Sequence, residues 1–129
     1  MKVELIVRNY LPGISWTVLI FVLSSISAGT LKLPDFWDLF SLDKAAHATF
    51  YFLLYFLWAR GLIQGGKIKR RIFIILLVSC ISYGGLIELY QGYFLPSRHG
   101  DWVDEVANSI GVIVGGLYFW KAKKTFDLS

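Results

Sequence analysis

The chain has 129 residues, of which 56% are hydrophobic and only 17% are charged, and its formal net charge is +4. This composition excludes a disordered chain, which needs low hydrophobicity, and one cysteine cannot form an internal disulfide framework. A soluble domain of this size has too much surface for so apolar a composition. An integral membrane protein is the class that remains.

The apolar residues fall into four stretches, each close to the ~20 residues that a helix needs to cross a bilayer. Leucine-rich runs without two-residue alternation argue against a membrane β-barrel. The sequence therefore predicts an all-α fold, a polytopic membrane protein whose single domain, residues 1–129, is a four-helix transmembrane bundle. The predicted spans are about 10–28, 45–63, 72–95 and 103–120.

Two early segments have a distinctive composition. Lys2 and Arg8 precede the first apolar stretch and small residues follow it, so a cleaved secretory signal peptide is an alternative interpretation of span one. Residues 33–40 mix acids with large apolar side chains. This mixture predicts a short segment in the interface of the first outer loop.

Lysine and arginine are concentrated at both termini and in the second connection, whereas the acids lie on or beside the first and third connections. The positive-inside rule then predicts a multi-pass membrane protein with both termini and the second connection in the cytoplasm. Topology and anionic lipid already explain the basic run at 67–71. No nucleic-acid partner is predicted.

The start of span two carries Asp43, His47 and Tyr51 at intervals of four residues, which places them on one helix face. Ionisable residues inside spans are costly and are treated first as functional candidates. Asp43 is expected either to cap the helix or to accept a hydrogen bond from His47. The structural alternative is that Asp43 only caps the start of the helix and that His47 only makes a stabilising hydrogen bond.

Glu88 and Gln91 share a face toward the outer end of span three. An acid about two turns inside the boundary costs a few kcal/mol unless it is paired. A hydrogen bond that locks the bundle is one explanation. A general base, a metal ligand or a head-group contact is the other.

The third connection and the start of span four contain a further polar series. Arg98 is expected either to hold a phosphate or carboxylate through its guanidinium fork or to pair with Asp101 or Asp104. Asn108 continues the face inward. The small residues on the inner half of this face predict close helix packing; they are Ala107, Gly111 and Gly115.

The three polar faces lie at one predicted depth and therefore predict one outward-facing pocket. Their order and spacing resemble the VanZ-like family of small bacterial membrane proteins, over about residues 43–116. Ser97 departs from this pattern, because many relatives carry glycine before the loop arginine. The motif residues are Asp43, Lys44, His47, Tyr51, Glu88, Gln91, Pro96, Arg98, Asp101, Asp104, Asn108, Gly111 and Gly115.

The resemblance implies a link to resistance against the glycopeptide antibiotic teicoplanin and, by distant similarity, to membrane enzymes that act on lipid head groups. The first hypothesis is phosphoester or head-group transfer or hydrolysis on an outer-leaflet lipid or lipid-linked cell-wall precursor. A non-catalytic binder of lipid or antibiotic is an alternative, and a structural partner protein is another.

Under the enzyme hypothesis, the catalytic candidates are His47, Glu88 and Asp104, with His47 or Glu88 as general base. A transient phospho-adduct on His47, oriented by Asp43, is the variant mechanism. A divalent cation held by Asp101 and Asp104 is the candidate cofactor. The substrate-binding candidates are Asp43, Tyr51, Gln91, Arg98, Asp101 and Asn108.

Overall fold

The computed structural model describes residues 2–26, 40–66, 69–94 and 102–126, with side chains omitted at 40–43 and 123–126. These residues form four α-helices and no strand, which confirms the all-α prediction. The interfacial segment predicted at 33–40 lies outside the described residues, apart from Phe40, which begins the second helix. The helices are α1 (Lys2–Ser25), α2 (Phe40–Gln64), α3 (Arg70–Phe94) and α4 (Trp102–Phe126).

Each helix covers one predicted apolar stretch, and three of them extend well past it. Helix α1 begins at Lys2 instead of residue 10, and α4 continues to Phe126 instead of 120. A 25-residue helix such as α4 is about 37 Å long at 1.5 Å per residue. Backbone hydrogen bonding continues the helix beyond its apolar part, so hydropathy alone underestimates the length.

Helices that follow one another in the chain run in opposite directions. Tyr10 near the start of α1 lies against Trp58 near the end of α2, with ring centroids 6.2 Å apart. Arg70 at the start of α3 lies over Trp120 near the end of α4. Gly66, in the turn that ends α2, has a φ of 79°, a conformation that glycine adopts without steric cost. The starts of α2 and α4 therefore share one end of the bundle.

Helices α2 and α4 run parallel and approach closely along the predicted small-residue face. Gly111 lies directly against the backbone of Ala48, where a Cβ atom would overlap the carbonyl oxygen. One turn later Gly115 lies against the ring of Tyr55, 3.1 Å from the position of a Cβ. Ala107 is buried on the same face. The missing side chains let these two helices come together at backbone distance.

Helix α2 is the centre of the bundle and contacts each of the other three helices. Leu54 and Tyr55 are almost completely buried, and no large apolar side chain of residues 44–64 is exposed. The other three helices are different, because each carries a row of exposed large apolar side chains. Examples are Val18 at 55%, Val78 at 57% and Leu117 at 55% exposure.

Two helices of the described chain, α1 and α3, are long and apolar enough to cross a membrane. Their best 18-residue windows have mean hydropathies of 1.5 and 2.2. Helices α2 and α4 carry two of the three predicted polar motifs, and the third, Glu88 with Gln91, lies on α3.

Substitution of Gly111 by alanine tests the α2–α4 contact. We expect Gly111→Ala to lower the free energy of unfolding by about 1–3 kcal/mol or more, because the new methyl group forces the backbones of α2 and α4 apart. Gly85→Ala is the matched control, since a Cβ there meets only Glu105 Oε2 at an ordinary 3.4 Å. It should leave the stability unchanged or raise it. Thermal unfolding followed by circular dichroism measures both, and equal midpoints would contradict the packing argument.

Candidate functional site

The start of α2, the end of α3 and the start of α4 meet at one end of the bundle and bring polar side chains together. One imidazole nitrogen of His47 and one carboxylate oxygen each of Glu88 and Asp104 lie within 4.8 Å of one another. Lys44 and Asn108 contact members of this group directly. We call these five residues the polar cluster. Its members are up to 64 positions apart in the sequence, from Lys44 to Asn108.

The imidazole of His47 is held between two residues of α4. Its Nδ1 lies 3.0 Å from Oδ1 of Asn108. An amide oxygen only accepts hydrogen bonds, so Nδ1 carries the proton and donates it. Its Nε2 lies 3.7 Å from Oδ2 of Asp104. Asn108, which is 1% exposed, thereby holds the ring with Nε2 toward this carboxylate.

Asp104 also forms an ion pair with Lys44, through Oδ1. Both side chains are 16% exposed, so the pair is well shielded from solvent. Sequence reasoning considered Arg98 as the partner of Asp104 and missed Lys44. The sequence feature that could have identified Lys44 is its position three residues before His47, which places both residues on one helix face. The carboxylate of Asp104 therefore lies between an ammonium group and an imidazole.

Glu88 contributes the buried carboxylate of the cluster. It is 2% exposed and is the only buried Asp, Glu, Lys or Arg among the described side chains. A buried carboxylate is tolerated only where polar groups compensate for the loss of water. His47 and Asp104 are within 4.8 Å of it. The face predicted for Glu88 is therefore directed into the bundle.

Tyr51 and Glu105 lie next to the cluster, between α2, α3 and α4. Tyr51 is 3% exposed, and its hydroxyl has no hydrogen-bond partner among the described residues. The carboxylate of Glu105 lies 3.0 Å from where a Cβ of Gly84 would be, and Ser109 Oγ donates to it at 3.1 Å. Sequence reasoning did not select Glu105. Its spacing of four residues from Ser109 was the available signal.

The remaining predicted site residues divide into two groups. Gln91 is buried and donates from Nε2 to the backbone oxygen of Ser24 at 3.1 Å, so it joins α3 to the end of α1. The side chain of Asp43, together with Arg98 and Asp101, lies outside the described residues. The expected bond from His47 to Asp43 is thus not described, and the orienting partner that is described is Asn108.

His47, Glu88 and Asp104 are also the described residues that could hold a metal ion. One imidazole nitrogen and two carboxylate oxygens suit a divalent ion such as Zn²⁺ or Mn²⁺. The cation that contacts Asp104 in the structure is the Lys44 ammonium, with which a metal would have to compete. Of the predicted pair, Asp104 belongs to this set, and Asp101 lies outside the described residues.

Comparisons with models of known protein families, with curated proteins and with solved structures find no match for this chain. The resemblance to the VanZ-like family therefore stays a prediction that rests on the motif residues. The function has to be argued from the geometry of the cluster and the surface around it.

Replacement of Asn108 tests the orientation of His47. In a His99→Gln background, which leaves one histidine, we expect Asn108→Leu to abolish the preference for a proton on Nδ1. The lost acceptor should also lower the free energy of unfolding by about 1–3 kcal/mol. Nitrogen-15 NMR of the imidazole measures the tautomer. Ser109→Ala is the control, because Ser109 bonds only to Glu105 in the described contacts, and an unchanged spectrum in Asn108→Leu would refute the assignment.

Proposed function

We propose that the protein is a four-span membrane protein of the VanZ-like type that acts on phosphate-bearing head groups. The substrates would be lipids or lipid-linked cell-wall precursors at the outer face of the bacterial inner membrane. The observation that carries this proposal is the convergence of His47, Glu88 and Asp104 within 4.8 Å at one end of a largely apolar bundle. So many costly groups add little to a bundle that needs only stability.

The surface of the bundle supports insertion of all four helices. Helix α4 contains charged residues, yet its exposed face is apolar, with Val106 at 57%, Ile110 at 52% and Leu117 at 55% exposure. Helix α2 is shielded by its neighbours and needs little apolar surface of its own. Large continuous apolar surfaces are rare on soluble monomers, whereas lipid chains cover them without cost.

The charges of the two ends support the orientation. The polar cluster lies where α2 and α4 begin. Exposed basic residues lie at the opposite end, at Arg60, Lys69, Arg70, Arg71 and Lys121. With this basic end in the cytoplasm, as the positive-inside rule requires, the cluster faces the outer leaflet.

The geometry of the cluster suits proton transfer coupled to attack on phosphorus. A water or alcohol oxygen would attack the head-group phosphorus while its proton passes to Nε2 of His47, the P–O bond to the departing alcohol would break, and the imidazolium would return the proton to that alkoxide oxygen. Asp104, 3.7 Å from that nitrogen, stabilises the imidazolium that forms. The ammonium of Lys44 stabilises negative charge that develops on the phosphate oxygens. Glu88 lies within reach of the same position and provides a second proton-transfer group.

Two buried polar atoms, one beside the cluster and one within it, are available to a substrate. The hydroxyl of Tyr51 and Nδ2 of Asn108 have no hydrogen-bond partner among the described residues. Buried polar atoms normally have such partners, and a polar head group would provide them. Arg98 keeps its predicted role in holding the phosphate, and Asp101 keeps its predicted roles in substrate or metal binding; both residues lie outside the described part of the chain.

Turnover in reconstituted vesicles tests the proposed chemistry. The substrates would be a bacterial lipid extract and a short-chain polyprenyl-phosphate-linked precursor, with released head groups quantified by mass spectrometry. We expect His47→Ala and Glu88→Gln to lower the rate by about 10²-fold or more, with rates compared at a temperature at which circular dichroism shows each variant folded. Glu105→Gln is the matched control, since it removes a partly buried acid beside the cluster, and it should retain most activity.

Two results would contradict the enzyme proposal. One is an unchanged rate in His47→Ala. The other is saturable binding of either substrate with no turnover, weakened in graded steps by the variants, which would favour a non-catalytic binder.

In a teicoplanin-susceptible bacterium, expression of the parent should raise the inhibitory concentration of the antibiotic, and expression of His47→Ala should not.

Cysteine labelling in intact cells tests the orientation. In a Cys80→Ser background, we expect a membrane-impermeant maleimide to label Trp102→Cys at the start of α4. It should label Gln64→Cys at the end of α2 only after the cells are lysed. Both positions lie at helix ends, so the substitutions leave the core intact. The opposite labelling pattern would invert the proposed topology.

A further inference from the structure

A second feature lies at the basic end of the bundle. The first half of α3 and the second half of α4 leave a cleft of about 320 Å³, with Phe73 and Leu77 on one side and Phe119 on the other. Gly116 also lines the cleft and packs closely against Leu77, because a Cβ at this position would lie 3.1 Å from Leu77 Cδ1. Tyr55 of α2 also lines it. The lining is almost entirely apolar and contains no member of the polar cluster.

The mouth of this cleft carries a fixed positive charge. The guanidinium carbon of Arg70 lies 4.2 Å from the ring centroid of Trp120, and both residues line the cleft. A cation–π contact of this kind holds the guanidinium in place while its hydrogen-bond donors stay accessible. Lys69, Arg71 and Lys121 are exposed beside these two residues in the sequence. An apolar cleft with a cationic rim matches an amphiphile that has an anionic head.

We propose that this cleft binds one anionic phospholipid of the cytoplasmic leaflet. An acyl chain lies between α3 and α4, and the phosphate diester is bound by Arg70. A guanidinium fork pairs well with phosphate oxygens, and basic pockets between membrane helices on the cytoplasmic side select anionic head groups. The ammonium of a zwitterionic head group would meet the surrounding lysine and arginine charges, which disfavours it.

This inference rests on the part of the proposed function that inserts the chain in a membrane. It does not depend on the chemistry of the polar cluster, because the cleft lies at the other end of α3 and α4. A variant in the cleft therefore changes lipid binding and leaves His47, Glu88 and Asp104 in place.

Native mass spectrometry of the full chain tests the site. The protein would be released from nanodiscs that contain equal amounts of phosphatidylglycerol and phosphatidylcholine. We expect one retained phosphatidylglycerol per chain. Arg70→Gln should lower the preference for phosphatidylglycerol by about five-fold, the effect of one basic residue at a membrane surface. Arg60→Gln is the matched control, because Arg60 is exposed but does not line the cleft.

Gly116→Leu separates the acyl chain from the head group, because its side chain fills the cleft and leaves Arg70 in place. Retention of both lipids should fall in this variant. Equal retention of the two lipids by the parent, or equal effects of Arg70→Gln and Arg60→Gln, would overturn the proposal. Should Gly116→Leu fail to fold, the two arginine variants still decide the outcome. Extraction of the parent by alkaline carbonate would instead refute membrane insertion and with it the proposed function.

Discussion

The close approach of α2 and α4 is the constraint on which the rest of the structure depends. Gly111 lies against the backbone of Ala48, and this contact sets both the spacing and the register of two parallel helices. Toward the starts of both helices, the same register places His47 opposite Asn108 and Lys44 opposite Asp104. Two helices that begin at the same end also direct their positive dipole ends to it. The cluster therefore lies where negative charge is favoured, which suits both its carboxylates and a phosphate substrate.

Enclosure of α2 resolves an apparent conflict between its polar residues and membrane insertion. A helix with Lys44, His47 and Arg60 has too much charge to be surrounded by lipid, yet its neighbours shield it. Hydrogen bonds between helices add to this enclosure. Trp16 Nε1 donates to the backbone of Phe50, and Tyr83 Oη donates to the backbone of Thr17. Under the proposed membrane insertion such bonds matter, because helices surrounded by lipid gain little from hydrophobic association.

The two ends of the bundle have complementary chemistry. At one end, ionisable groups from three helices share a small volume and orient one another. At the other end, Arg70 and Trp120 cover an apolar cleft. Under the proposed topology the first end handles a head group in the outer leaflet. The second end contacts anionic lipid in the inner leaflet. Helices α3 and α4 contribute to both sites.

The sequence by itself determined the helical class, the four elements and the residues most worth attention. Apolar stretch length, helix periodicity and the cost of buried charge are local properties, so they selected His47, Glu88, Asp104 and Asn108. Only the tertiary structure decided which of these side chains meet. Asn108 orients the imidazole and Lys44 pairs with Asp104, and both contacts depend on the crossing of α2 and α4. The structure also assigned Gln91 to the junction with α1. Helix periodicity gives a residue its face, but the partner on that face is fixed by the relative register of helices about 60 residues apart.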